Sequence, residues 1–228
     1  MEPVQALSRT QSIALEQQRV LRNTYGLLGL SLVPTAVGAL LGLRVPLSIL
    51  QAHPIVYGIG VLAVFYGMIF AIERNRNSSM GVYLLLAFTL FMGVLLGPLL
   101  QVALGLKNGA QLVALAAGGT GLTFLLLSGI ATAARRDFGF LGNFLTVGAI
   151  IAMIAVVANL FLASPVLHLT LCAVIMLLSA GLILWQLNAI VRGGETNYVS
   201  ATLTLYVSVY NLFSTLLQLL MAFAGERE

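Results

Sequence analysis

Apolar residues run along this chain in long blocks that are separated by short polar stretches. A membrane hydrocarbon core of about 30 Å is crossed by roughly 20 helical residues, each adding about 1.5 Å. By that measure seven blocks are long enough, covering residues 24–43, 54–72, 80–104, 111–134, 140–163, 166–191 and 200–223. No block has the ten-residue alternation of an outer-membrane barrel strand. The pattern predicts an all-α integral membrane protein with seven transmembrane helices.

The breaks between the blocks predict where the chain reverses. Only Ser164 and Pro165 separate the fifth block from the sixth, so a tight hairpin is expected there. Gly193 and Gly194 precede the last block, and glycine tolerates the backbone conformations that a sharp reversal needs. These signals favour a single helical bundle with short connections.

Composition narrows the class of protein further. Of the 228 residues 60% are hydrophobic and only 8% are charged, whereas a soluble domain carries roughly 25% charged residues. Soluble enzyme folds are therefore excluded. Cys172 is the single cysteine and there are two histidines, which excludes an internal disulfide and a four-ligand zinc site. We expect a lipid bilayer as the surroundings, and no metal, cofactor or nucleic-acid partner.

The eleven basic residues predict the orientation of the chain. With seven spans and the N-terminus inside, eight of them fall on the cytoplasmic side: Arg9, Arg19, Arg22, Arg74, Arg76, Arg135, Arg136 and Arg192. The external side then holds Arg44, Lys107 and Arg227. Positive residues concentrate on the cytoplasmic side of membrane proteins. The distribution therefore predicts a cytoplasmic N-terminus and an external C-terminus.

The ends of the chain differ from the apolar blocks. Residues 1–23 are polar and lack the short apolar core and cleavage site of a secretory signal. We expect a cytoplasmic tail over 1–23, a transmembrane domain over 24–223 and a short external tail over 224–228. The N-terminal tail has two interpretations, an inert leader or a handle by which a cytoplasmic partner engages the protein.

Acidic residues are missing from the interior of the predicted spans. All seven of them lie in tails, loops or span ends: Glu2, Glu16, Glu73, Asp137, Glu195, Glu226 and Glu228. Ion-coupled carriers usually place an ionisable group inside the bilayer. His168 and His53 have no evident serine partner for nucleophilic catalysis. The sequence thus predicts no catalytic residues, and we expect that the protein is not an enzyme.

Polar residues inside the membrane concentrate in the last block. Five of them are spaced by four, three, four and three residues, which aligns them on one helix face: Thr204, Ser208, Asn211, Thr215 and Gln218. We call these residues, together with Asn159 on the fifth helix, the polar stripe. An unpaired polar group facing lipid is costly, so the seventh helix is expected to be enclosed by the others. Asn159 and Gln186 are the expected hydrogen-bond partners of the stripe residues on the seventh helix. The stripe serves either interhelical hydrogen bonding alone or a narrow polar pore or sensor.

Small residues at a spacing of four occur three times: Gly38 with Gly42, Gly93 with Gly97, and Ala117 with Gly121. Such pairs let helices approach closely. We interpret all three as packing signals.

Three longer motifs make the sequence resemble a known family. They are RRDFGFLGNFL at 135–145, LILWQLNAIVRGGETNY at 182–198 and TLYVSVYNLF at 204–213. With the seven-span plan they identify the chain as similar to the Bax inhibitor-1 family, in particular to its proteobacterial branch. The residues that carry the family motif are Arg135, Arg136, Asp137, Gly142, Gly193, Gly194 and Glu195. The resemblance implies a polar seventh helix at the centre of the other six.

The resemblance also implies two functions. The proteobacterial branch includes a modulator of the FtsH-type membrane AAA protease, which implies that protease as a partner. Calcium-leak members of the family instead carry two aspartates that share a proton and gate a pore. The matching positions here are Gln186 and Ser208, and neither side chain titrates near neutral pH. A protease modulator is therefore favoured, with a cation leak channel lacking pH gating as the alternative. The sequence does not indicate the oligomeric state.

Overall fold

The computed structural model of the protein describes residues 2–48, 53–133 and 138–225, with side chains from residue 15 to residue 224 within those ranges. These residues form seven long helices, α1 (Glu2–Gly42), α2 (Pro54–Arg74), α3 (Ser79–Leu104), α4 (Gly109–Ala133), α5 (Gly139–Leu162), α6 (Pro165–Val191) and α7 (Tyr198–Gly225). Each contains a segment long and apolar enough to cross a membrane. The predicted all-α fold with seven transmembrane helices is confirmed. Arg135, Arg136 and Asp137 lie outside the described residues, as do residues 226–228.

Helix α1 is longer than its predicted span. It begins at Glu2 and contains 41 residues, a length of about 60 Å, which is twice the hydrocarbon thickness of a bilayer. Its apolar segment begins at Leu15. The helix continues through residue 23, where the sequence predicted the boundary between tail and span. The reason is that hydropathy marks where a helix is apolar, whereas Glu, Gln, Arg and Leu all favour helix in a polar segment as well.

Helices α1 and α3 cross at very short distance through the two predicted glycine pairs. A Cβ atom added to Gly97 would lie 2.1 Å from the carbonyl carbon of Gly42. A Cβ atom at Gly38 would lie 2.1 Å from the Leu90 oxygen, and one at Gly93 2.2 Å from the Thr35 oxygen. The backbones therefore touch where only glycine fits, as expected for small residues at helix crossings.

A tight hairpin joins α5 and α6, as the sequence predicted. Helix α5 ends at Leu162, and Ala163 adopts a left-handed conformation with a φ of 46°. Ser164 caps α6, because its hydroxyl accepts a hydrogen bond from the Leu167 N–H at 3.3 Å. Pro165 occupies the first turn of α6, where a missing N–H costs nothing.

Helix α7 is the most enclosed helix of the described bundle. It packs against α1, α2, α3, α4 and α6, and from Tyr198 to Ala224 only Phe223 is exposed. Leu205 and Leu217 are fully buried on it. Helix α5, in contrast, packs mainly on α6 and turns Phe144 outward. A seventh helix surrounded by all six others remains a prediction, since α5 is not among the helices packed on α7.

Candidate functional site

The two positions that correspond to the family's di-acid pair carry uncharged side chains in the interior. Gln186 on α6 is 2% exposed and Ser208 on α7 is 1% exposed. The Ser208 hydroxyl donates to the Thr204 carbonyl oxygen of its own helix at 2.8 Å. The Gln186 Nε2 atom has no hydrogen-bond partner among the described residues. The pair is therefore buried and fixed in charge, and its two members are not hydrogen-bonded to each other.

The polar stripe mostly satisfies itself along α7. The Thr215 hydroxyl donates to the Asn211 carbonyl oxygen at 2.6 Å, and the Gln218 amide donates to the Ser214 carbonyl oxygen at 3.0 Å. Asn159 accepts a hydrogen bond from the Ser164 N–H at 3.1 Å, so its partner is the hairpin of its own helix end. The expected hydrogen bonds from α7 to Asn159 and Gln186 are absent from the described structure, because backbone carbonyls one turn away compete for the same donors.

Four members of the polar stripe nevertheless meet in one cavity between α5, α6 and α7. Asn159, Asn211, Thr215 and Gln218 line this space of about 320 Å³, which we call the polar cavity. His168, Cys172 and Ser214 also line it. The cavity reaches from the first turn of α6 to Asn211 at the midpoint of α7. Helical spacing aligns the stripe residues of α7 on one face, whereas packing brings Asn159 of α5 and the residues of α6 to that face.

His168 is tied to the stripe by the one side-chain hydrogen bond described between α6 and α7. Its Nε2 atom lies 2.8 Å from Gln218 Oε1 and 3.8 Å from Cys172 Sγ. The Gln218 amide nitrogen donates to the Ser214 carbonyl oxygen, so the Gln218 amide oxygen faces His168. An amide oxygen only accepts hydrogen bonds, so the His168 Nε2 atom is assigned as the donor. Sequence analysis noted His168 but missed this contact, since residues 50 positions apart carry no spacing signal.

A second polar cluster lies at the end of the bundle where α2 and α6 end and where Arg74, Arg76 and Arg192 are found, which we call the arginine-rich end. Asn197 precedes α7, and its Oδ1 atom accepts the N–H groups of Val199 at 2.9 Å and Ser200 at 3.1 Å. Asparagine is among the preferred residues for such a helix cap.

The same asparagine joins two loops. Its Nδ2 atom donates to the Arg76 carbonyl oxygen at 3.1 Å and to Asn77 Oδ1 at 2.8 Å. The Glu195 carboxylate accepts the Asn197 N–H at 2.8 Å. The loop between α6 and α7 is thereby bound to the loop between α2 and α3. The GGETNY segment was recognised as a motif, but Asn197 was not singled out, although asparagine just before an apolar helix is itself a capping signal.

Glu73 completes this cluster. Its Oε2 atom accepts the Ser200 hydroxyl at 2.9 Å and lies 3.4 Å from Arg76 Nη1. The ion pair is largely exposed, so it contributes little to stability. Its geometric effect is larger, since it joins the end of α2 to the first turn of α7.

Two glycines of the family motif, Gly142 and Gly193, occupy positions where a larger residue would not fit or would be strained. Gly142 lies against Trp185, whose Nε1 atom would be 2.8 Å from a Cβ added to that glycine. Gly193 has a φ of +76°, a conformation that favours glycine. Gln17 of α1 lies directly over Gly193, and its amide group can bridge the Val191 oxygen at 3.2 Å and the Gly193 N–H at 3.3 Å. This end of α1 is thus docked on the loop between α6 and α7.

These features define a multi-pass membrane protein with two polar clusters, one at its arginine-rich end and one in the opposite half. Among the described residues no group of three or more His, Cys, Asp or Glu side chains could hold a metal ion. Glu73 and Glu195, the acids of the cluster, lie at the end of the bundle. The class is therefore a helical membrane protein with two polar sites, one organised by hydrogen bonds between loops and the other by the packing of three helices around a cavity.

Comparison with known proteins gives the family. A family model described as "Inhibitor of apoptosis-promoting Bax1" matches residues 17–225, and the chain belongs to the Bax inhibitor-1 family. A protein of Neisseria meningitidis serogroup A is 47% identical over 215 residues, covering 93% of this chain and 94% of the relative. A protein of Vibrio cholerae is 40% identical over 215 residues, covering 93% of this chain and 94% of the relative.

A further relative carries a functional name. "Modulator of FtsH protease YccA" from Escherichia coli K12 is 39% identical over 220 residues, covering 96% of this chain and 97% of the relative. The same protein from another Escherichia coli strain is named "Inner membrane protein YccA". With the seven apolar helices, the second name supports a multi-pass inner membrane protein.

Proposed function

We propose that this protein binds an FtsH-type membrane AAA protease and modulates its attack on other membrane proteins. The observation that carries the proposal is the 39% identity to YccA over 96% of the chain. The alignment also covers 97% of that relative. The proposal makes the protein a regulatory partner within the membrane, without catalysis of its own.

The arginine-rich end is the face that we assign to the protease. Positive residues favour the cytoplasmic side. Arg22, Arg74, Arg76 and Arg192 therefore support a cytoplasmic location for this end of the bundle. The N-terminus then lies in the cytoplasm as well, and the C-terminus lies in the periplasm. Residues 2–14 of α1 precede the apolar segment and add about 20 Å of helix. We call residues 2–14 the handle, because they are the segment that the protease would engage. Gln17 supports this interpretation, because its contact with Gly193 holds the base of the handle against the cluster around Asn197.

We further propose that the handle gives the protease a place to pull. A modulator engaged in this way is itself a slow substrate, because the bundle that follows resists extraction. Pulling on α1 would first have to break the contact of Gln17 with Gly193, then the contacts of Tyr25 with α4, and then the buried glycine crossing between α1 and α3. Occupation of the protease by such a resistant chain would restrain its attack on other proteins.

A cation leak channel is the second candidate, favoured by the polar cavity. That cavity brings Asn159, Asn211 and Gln218 into the membrane half opposite the arginine-rich end. The other half of a pore would have to pass Gln186 and Ser208, which are buried and carry no charge. An amide and a hydroxyl do not titrate between about pH 6 and 8, so any leak would lack the family's pH switch.

Co-purification tests the proposal directly. Tagged protein extracted from native inner membranes should enrich the FtsH-type protease over an unrelated seven-helix protein. A variant lacking residues 2–14 should lose about tenfold of that enrichment, equivalent to ~1.4 kcal/mol. A variant lacking residues 226–228 is the matched control and should retain it. Equal recovery of the protease with the unrelated protein would contradict the proposal.

Calcium flux separates the two candidates. Purified protein in liposomes should pass little calcium, with no change between about pH 6 and 8. A large flux that is steeply switched by pH over that range, together with no enrichment of the protease, would replace the modulator by the channel.

A further inference from the structure

A second cavity of about 440 Å³ lies between α1 and α4, with α3 and α7 behind it, and we call it the apolar cavity. It is separate from the polar cavity and shares no lining residue with it. Helices α1 and α4 approach each other far less closely than α1 and α3 do. They are joined by the hydrogen bond between the Tyr25 and Ser128 hydroxyls and by the edge contact of Tyr25 with Phe124.

The mouth of the apolar cavity faces the bilayer. Gly29 on α1 and Gly121 on α4 both line the cavity and are exposed. No atom lies within 4 Å of a Cβ built on either glycine. Ala117 and Gly121, interpreted from sequence as a packing pair, therefore border an opening and not a helix contact. Because the mouth lies near the middle of apolar helices, a molecule must enter it from the membrane.

Aromatic rings make up much of the wall. Phe124 comes from α4, and Tyr206, Tyr210 and Phe213 come from α7. The Tyr206 hydroxyl is already bonded to the Thr35 hydroxyl at 2.7 Å and to the Thr89 carbonyl oxygen at 3.3 Å. Its hydroxyl is therefore not available to a ligand, and its ring is held in place by contacts with Phe88 and Tyr210. Aromatic rings prefer stacked or edge contacts with another ring.

One fully buried polar atom in the wall lacks a partner among the described residues. Thr120 lines the cavity close to the midpoint of α4, is 5% exposed, and its hydroxyl forms no hydrogen bond in the described structure. Helical threonines usually donate to the carbonyl one turn earlier, as Thr132, Thr146 and Thr170 do here. Thr120 makes no such bond to Ala116. A buried polar group without a partner is rare in proteins and requires an explanation.

We propose that the apolar cavity binds a neutral, membrane-soluble ring compound that carries a hydrogen-bonding oxygen, the chemistry of a prenylated quinone. The ring lies among the aromatic side chains, and the apolar tail leaves through the mouth. The Thr120 hydroxyl is enclosed in this structure, so a change of its rotamer brings it to the ligand oxygen. A lipid acyl chain fits less well, because it has no oxygen at the depth of Thr120. This inference does not rest on the protease proposal.

Decylubiquinone is a suitable probe for this site. The full-length protein in lipid nanodiscs is loaded with decylubiquinone or with hexadecane, which has neither ring nor oxygen, and bound molecules are counted by native mass spectrometry. Gly121→Leu fills the mouth from α4, and Gly29→Leu fills it from α1. Gly118→Leu is the matched control, since Gly118 is exposed on α4 and does not line the cavity.

We expect wild-type protein and Gly118→Leu to retain one decylubiquinone and no hexadecane. Either mouth variant should lower retention about tenfold or more. Thr120→Val keeps the shape of the side chain and should weaken retention about fivefold, the factor of one ordinary hydrogen bond. Unchanged retention in both mouth variants would overturn the site. Unchanged retention in Thr120→Val, or hexadecane retained as well as decylubiquinone, would overturn the assigned ligand class.

Discussion

Replacement of Asn197 should separate the two loops that meet at the arginine-rich end. Its Oδ1 atom caps α7 through two N–H groups, while its Nδ2 atom donates to Arg76 and Asn77 in the other loop. Loss of an asparagine cap costs about 1 kcal/mol, and each exposed hydrogen bond between the loops contributes roughly 0.5 kcal/mol. Asn197→Ala should therefore lower the free energy of unfolding by about 2 kcal/mol.

Asn197→Asp divides this effect into its two parts. An aspartate still caps the helix and interacts favourably with its N-terminus, but its carboxylate cannot donate to Arg76 or Asn77. We expect a loss of about 1 kcal/mol, half of the loss in Asn197→Ala. Asn108→Ala is the matched control, since Asn108 directly precedes α4 and its exposed side chain forms no hydrogen bond in the described structure.

Thermal unfolding in detergent, followed by circular dichroism, measures all three variants. For a chain of this size 2 kcal/mol corresponds to a fall in Tm of about 4–8 °C, and the aspartate variant should lose about half of that. A Tm for Asn197→Ala within about 1 °C of the wild type would refute the reasoning. Equal losses in the alanine and aspartate variants would show that the cap contributes nothing.

Three further predictions concern the helix crossing, the di-acid positions and the topology. Gly97→Ala should destabilise the protein by about 2 kcal/mol or more, because its Cβ would lie 2.1 Å from Gly42, whereas Gly67→Ala meets no atom within 4 Å and should change stability by less than about 1 kcal/mol. The double variant Gln186→Asp with Ser208→Asp restores the acid pair of the family's calcium-leak members and should make calcium flux in liposomes larger and pH-dependent, because two carboxylates that share a proton resist ionising together. A flux that stays flat with pH would contradict this. Reporter fusions should show a cytoplasmic N-terminus and a periplasmic C-terminus, and the reverse pattern would overturn the positive-inside assignment.

Hydropathy alone predicted the seven helices, because crossing a bilayer is decided by the summed transfer energy of about twenty consecutive residues. The α5–α6 hairpin followed in the same way from Ser164 and Pro165, whose capping and backbone restrictions are local. The extent of α1 did not follow, because polarity does not prevent a helix from continuing beyond the membrane.

The small-residue pairs show where local pattern stops being informative. Gly38 with Gly42 and Ala117 with Gly121 have the same spacing, yet one pair touches a neighbouring backbone and the other borders an open cavity. Spacing determines which face of a helix carries the small residues. It does not determine whether another helix occupies the space in front of that face.

The polar residues divide in the same way between sequence and tertiary structure. Helical periodicity was sufficient to align Asn211, Thr215 and Gln218 on one face of α7. Only packing brought His168 to Gln218, and only the meeting of two loops gave Asn197 its partners across the arginine-rich end. Periodicity acts over a few residues of one helix, whereas these contacts join positions 50 and 120 residues apart, whose distance depends on how all the intervening helices pack.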